Sequence, residues 1–170
     1  SGGGETLRVF TGSTYPRDIQ FLDANNGWSV GGLGSSSLIF RITNADGENP
    51  LFTPQTSGTI AVLNGIYMLD LNTGWIVGDG GTILKTTNGG ANWIPQTSGT
   101  TQILNAVYFV NENVGWAVGN NGLILTTSNG GSTWESEASS VVSNLRGIIV
   151  FGSGIGYAVG TNGTIIKRTV

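Results

Sequence analysis

An aromatic residue follows a glycine at four places, Gly27-Trp28, Gly74-Trp75, Gly115-Trp116 and Gly156-Tyr157, and each time opens the phrase G-W/Y-x-V-G. The four aromatic residues stand 47, 41 and 41 positions apart. A period of about forty residues marks a supersecondary unit repeated along the chain, in the range of propeller blades. A sequence built this way folds as an array, and its core must form between neighbouring copies.

The copies span approximately residues 17–59, 60–100, 101–143 and 144–170. In the second, apolar strands are expected at Leu63–Leu69, Trp75–Val77, Thr82–Thr86 and Trp93–Thr97, separated by turns rich in Gly, Asn and Asp. Glycine supplies the positive φ that tight hairpin turns require. No stretch carries helical periodicity over a useful length, so the expectation is an all-β chain with almost no helix. Four short antiparallel strands make one blade, and four blades make a four-bladed β-propeller.

The last copy stops after its third strand. The segment Thr6–Thr14, TLRVFTGST, aligns without gaps on Asn92–Thr100, NWIPQTSGT. The N-terminal strand is therefore expected to complete the last blade and close the ring, which removes an open sheet edge. Residues 5–170 are read as one domain, with Ser1–Gly4 as a linker or expression remnant outside it. Closure within one chain predicts a monomer; exchange of the same strand between chains predicts a dimer.

Composition narrows the chemistry. The chain has no Cys and no His, which removes disulfides, thiolate metal sites and the commonest acid/base residue. Net charge is −3 and charged residues are 10% of the chain, which argues against a nucleic-acid binder. No apolar run is long enough for a membrane span. Asp79-Gly80-Gly81 and Asn120-Asn121-Gly122 offer too few carboxylates for calcium, so no metal and no cofactor is expected. The Cys-free, Thr/Asn/Gly-rich composition fits an extracytoplasmic domain.

The segments Thr86–Trp93, TTNGGANW, and Thr127–Trp134, TSNGGSTW, resemble the Asp-box of bacterial neuraminidase repeats, with Asn88 and Asn129 near the aspartate position. Together with G-W-x-V-G and the following G-x-I-L-x-T, the whole blade resembles the photosystem II stability/assembly factor-like repeats. The resemblance runs from Arg17 to Thr169. It implies a propeller and an assembly-factor role, and leaves the partner unnamed.

Physical chemistry gives the box a structural role. Asn88 and Asn129 bond their own turn while Trp93 and Trp134 pack over the hairpin. The aromatic residues Trp28, Trp75, Trp116 and Tyr157 admit two readings, a stacking platform for sugar rings or packing between blades. Their identical context in every copy favours packing. A sialidase reading rests on Phe40–Thr43, FRIT, which resembles an arginine-presenting element. Arg41 aligns with Lys85, however, and Asp23, Asp70 and Glu112 fall in turns, with no paired carboxyls for glycoside hydrolysis. No enzyme activity is expected.

Differences between the copies point to the binding site. Arg17, Asn64, Asn105 and Arg146 open the first, innermost strand of each copy and should ring one mouth of the channel. That rim suits a carboxylate, a sulfate or a peptide C-terminus; alternatively the arginines pair with nearby acids such as Asp18. The turn tips Asp79, Asn120, Asn121 and Asn162 lie around the same mouth, where loops on a rigid scaffold carry function. The expected function is a non-enzymatic scaffold for a protein partner, with a glycan-binding lectin as the alternative.

Overall fold

The computed structural model describes residues 15–45, 47, 49–151 and 155–169. Each repeat forms its own antiparallel sheet, as follows. The first holds β1 (Pro16–Asp23), β2 (Asn26–Leu33), β3 (Ser36–Thr43) and β4 (Leu51–Pro54). The second holds β5 (Leu63–Met68), β6 (Gly74–Gly78), β7 (Ile83–Thr86) and β8 (Ile94–Gln96). The third holds β9 (Leu104–Phe109), β10 (Gly115–Gly119), β11 (Ile124–Thr127) and β12 (Glu135–Glu137). The last has three strands among the described residues, β13 (Leu145–Val150), β14 (Ile155–Gly160) and β15 (Ile165–Thr169). Among the described residues, helix is confined to single 3₁₀ turns at Asp79–Gly81 and Asn120–Gly122. The proposed linker Ser1–Gly4 and the closing strand Thr6–Thr14 lie outside the described residues.

The sheets bury their faces against one another, and among the described residues three apolar cores result. The first joins Trp28, Val30 and Ile39 of one blade to Ile66, Met68, Ile76 and Leu84 of the next. The second repeats this with Trp75, Val77 and Ile83 against Val107, Phe109, Ala117 and Leu125. The third sets Trp116, Val118 and Ile124 against Val150 and Ala158. Each blade thus has an aromatic face and an opposite glycine face, because successive strand residues alternate sides.

The glycine before each aromatic residue serves the opposite face. Gly115 lies opposite Phe109 in the ladder, and a Cβ there would sit 2.5 Å from the Phe109 ring. The freed space lets Phe109 stack on Trp75 of the preceding blade, with ring centroids 3.5 Å apart and planes 8° from parallel. Trp134 closes the same ring edge-on at 5.8 Å. The repeated Gly-aromatic pair therefore builds two successive interfaces at once.

Indole N–H groups extend these contacts to the hairpin turns. Trp28 donates to the Gly89 carbonyl and Trp75 to the Gly130 carbonyl, each at 3.2 Å. The receiving turns are self-bonded as the sequence implies: Asn88 Oδ1 accepts from the Asn92 N–H, and Asn129 Oδ1 from the Thr133 N–H, each at 2.9 Å. Gln55 and Gln96 add a second clasp. The Nε2 groups donate to the same glycine carbonyls, at 3.0 and 3.1 Å, and the Oε1 atoms accept from the indoles of Trp93 and Trp134.

Tyr157 departs from the packing expected of it. Trp28, Trp75 and Trp116 are buried, whereas Tyr157 stands on an exposed face of the last blade. The inner strands pack β1 on β5, β5 on β9 and β9 on β13, and no comparable packing joins β13 to β1 among the described residues.

Candidate functional site

Arg17, Asn64, Asn105 and Arg146 share one backbone cause. In every blade the register between the first and second strands skips one inner-strand residue: Pro16 to Asp18, Leu63 to Gly65, Leu104 to Ala106 and Leu145 to Gly147. The skipped residues are those four. A bulge frees its extra residue from the alternation of faces and re-aims the side chain, which brings a polar residue to the same end of each inner strand.

There the four form a ladder across the blades. Asn64 Nδ2 donates to Asp79 Oδ1 at 2.8 Å within its blade and to the Leu104 carbonyl of the next at 2.9 Å. Asn105 repeats the pattern, donating to Asn120 Oδ1 at 2.9 Å and to the Leu145 carbonyl at 2.7 Å. The asparagines are bolts between blades, half-buried and committed to internal bonds. Arg17 donates to Asn64 Oδ1 at 3.0 Å, and Arg146 to Asn105 Oδ1 at 3.5 Å.

Both arginines are exposed, and neither forms an ion pair among the described residues. Asp18, the acid nearest Arg17 in sequence, is engaged elsewhere: its carboxylate accepts the N–H groups of Ile19 and Ile66 at 2.8 and 2.9 Å. Burial raises its pKa above the ordinary 3.8, against the lowering effect of those two bonds. The rim thus offers two solvent-facing guanidiniums, each held at one point.

The turn tips divide. Asp79 and Asn120 belong to the ladder. Asn121 is exposed, with its N–H on Asn144 Oδ1 at 3.0 Å, and Asn162 is exposed on a separate turn. Gly80, Asn121 and Asn162 occupy one turn position with φ of +66°, +55° and +58°. Asparagine tolerates this left-handed conformation better than other side-chain residues, so turn geometry accounts for Asn121 and Asn162.

Other candidates have structural roles. Arg41 stacks over Trp28 at 3.8 Å and donates to the Gly27 and Ile42 carbonyls at 3.1 and 3.0 Å. Asp70 accepts the N–H groups of Asn72 and Thr73 in its turn. Among the described residues no three metal-ligating side chains converge, and no helix is long and apolar enough to cross a membrane. Sequence reasoning passed over Gln55 and Gln96, although the hexapeptide Pro-Gln-Thr-Ser-Gly-Thr recurs identically at 54–59 and 95–100.

Repeated four-stranded blades clasped through glycine turns define a β-propeller of the repeat class. The chain belongs to the family of Photosynthesis system II assembly factor YCF48, whose family model matches residues 52–136 and 94–169. A structure of YCF48 bound to D1 peptide superposes with a TM-score of 0.69 at 21% identity, over 92% of this chain and 50% of that one. YCF48 from Cyanidioschyzon merolae gives 0.77 at 19% identity, over 95% and 53%. An ancestral GH74 enzyme gives 0.63 at 15% identity, over 89% of this chain and 22% of its own. At these identities the likenesses establish the fold. The chain spans about half the length of the two YCF48 structures. No curated protein matches the chain.

Proposed function

We propose that the chain is a non-enzymatic, protein-binding module of the assembly-factor kind, which takes a carboxylate-bearing segment of a partner protein at the mouth marked by Arg17 and Arg146. The observation that carries this reading is the state of those guanidiniums: solvent-facing, anchored once to a rigid inter-blade asparagine, and unpaired with any described carboxylate. Charge-assisted bonds from arginine to carboxylate are directional and about twice as strong as neutral ones. Pre-anchoring the side chains lowers the entropy lost on binding.

Family membership agrees with this reading, and a YCF48 structure holds a D1 peptide. The composition supports an extracytoplasmic setting, and the coverage of half the relatives' length supports a place within a larger protein. The lectin reading loses its stacking platform, since three of the four motif aromatics are buried. A glycan would have to use the same mouth.

Titration of a synthetic D1 peptide, followed by fluorescence anisotropy, tests the proposal. Binding should occur at one site per chain, weaken with salt, and fall about tenfold or more in Arg17→Ala/Arg146→Ala, as expected for loss of charged contacts. Unchanged affinity in the double variant would remove the mouth as the site.

A further inference from the structure

The second and third blades build the same rung at the mouth with one difference, and that difference is a charge. Asn64 Nδ2 donates to Asp79 Oδ1 at 2.8 Å, and Asn105 Nδ2 donates to Asn120 Oδ1 at 2.9 Å. Asp79 and Asn120 hold equivalent places in their turns. The N–H of each donates to the carbonyl two residues before the bulge residue, Val62 for Asp79 and Ile103 for Asn120, at 2.9 and 3.0 Å. Backbone and bonding match, so the two rungs differ only in whether the acceptor is a carboxylate or a carboxamide.

Each rung ends on an arginine. Asn64 Oδ1 accepts from Arg17 at 3.0 Å, whereas Asn105 Oδ1 accepts from Arg146 at 3.5 Å. Arg17 therefore closes a series of carboxylate, carboxamide and guanidinium. Arg146 closes one in which the guanidinium is the only charge. Hydrogen bonds in series polarise one another, and the shorter bond at Arg17 agrees with that. With bonds of 3.0 and 2.8 Å on either side of one carboxamide, the Arg17 and Asp79 charges lie within about one screening length, ~8 Å at physiological ionic strength.

A second acid acts in the same sense. The residues that follow the four bulge positions, paired with Val30, Val77, Val118 and Val159, are Asp18, Gly65, Ala106 and Gly147. Arg17 is thus followed by a carboxylate, held on the N–H groups of Ile19 and Ile66, and Arg146 by a glycine.

We infer that the mouth is electrically one-sided and that Asp79 makes it so. A partner's carboxylate binds at Arg146, while Arg17, its charge offset by Asp79 and Asp18, holds an uncharged part of the same segment by hydrogen bonds. The inference rests on the reading of the mouth as a carboxylate site, and it gives that site a direction. Asp79 is a positioning residue, acting through Asn64 and Arg17. A rung alone does not call for its charge, because Asn120 fills the same rung without one.

Anisotropy titrations of the synthetic D1 peptide probe, on the native background and on Asp79→Asn/Asn120→Asp, test the inference. The swapped chain should keep its near-ultraviolet circular dichroism spectrum, since each new rung already exists in the other blade. On the native background Arg146→Ala should lower affinity about tenfold and Arg17→Ala about threefold or less. On the swapped background that order should reverse. In about 1 M salt, where charges are screened beyond ~3 Å, the two losses should converge. Asp79→Asn alone should tighten binding, and equal or weaker binding there would overturn the inference. An order of the arginines that is the same on both backgrounds would also overturn it, while leaving the mouth as the site. Binding that ignores Arg17→Ala/Arg146→Ala would overturn both.

Discussion

The indole Nε1 of Trp75 lies 3.2 Å from the carbonyl oxygen of Gly130, fifty-five residues away and in the next blade. That bond ties the most regular sequence feature, the Gly-aromatic pair, to the hairpin turn that each neighbour presents. Gln96 Nε2 and Lys85 Nζ reach the same oxygen. Removing the indole donor therefore leaves the acceptor satisfied, and the loss falls on packing and on one bond. Trp75→Phe should cost about 1–3 kcal/mol. Trp116→Phe should cost less, because its Nε1 has no described partner to lose. Urea unfolding of both variants checks the order, and equal losses would contradict it.

The glycines before the aromatic residues should differ in tolerance. A Cβ on Gly115 meets the Phe109 ring at 2.5 Å in a packed core. Gly115→Ala should therefore lose about 1–3 kcal/mol through overpacking. At Gly156 the nearest atom is Val150 Cγ2 at 3.3 Å, so Gly156→Ala should lose less. Thermal unfolding of the pair reads the difference.

At the mouth, stability and binding should separate by residue. Asn64→Ala strips the bond to Asp79 and two inter-blade bonds, to the Leu104 carbonyl and from Arg17, a loss of about 1–3 kcal/mol. Arg17→Ala removes one exposed bond and should change stability by no more than about 0.5 kcal/mol. Affinity for the D1 peptide probe should fall more in Arg17→Ala than in Asn64→Ala. Denaturant melts and binding curves on the same two variants test this crossing.

Alkaline pH should weaken the inner ring through Tyr67. Burial, with Tyr108 beside it, pushes the Tyr67 hydroxyl from 10.0 to about 12. The unfolded chain releases this proton first, so the stability it contributes is whole below pH 10 and is lost between 10 and 12. In Tyr67→Phe this part of the decline should vanish. Unfolding midpoints from pH 9 to 12, with tyrosinate absorbance as the second readout, decide it; an unchanged slope would contradict the assignment.

The blade was legible because its signals are local: apolar runs, glycine turns and an aromatic at a fixed position. The self-bonded turns at Asn88 and Asn129 followed from turn chemistry, whereas Trp93 and Trp134 sit in the cores between blades. The clasp by Gln55 and Gln96 was hidden because its partners lie in the neighbouring blade, although the repeated Pro-Gln-Thr-Ser-Gly-Thr was in view. Arg17, Asn64, Asn105 and Arg146 share one bulge position at the start of the inner strands, but their contacts differ in three dimensions. The asparagine carboxamides reach backbone carbonyls across an interface, while the guanidiniums extend past them into solvent. Asn121 and Asn162 looked like variable tips because a left-handed turn position leaves no other mark in a sequence.

Nitrogen-detected chemical shifts of the labelled chain, followed while the peptide probe is added, test the account at its centre. Changes should concentrate at the Arg17 and Arg146 guanidiniums, at the carboxamides of Asn64 and Asn105, and at the turns Asp79–Gly81 and Asn120–Gly122. A mouth that stays silent while the outer strands β4, β8 and β12 respond would contradict it.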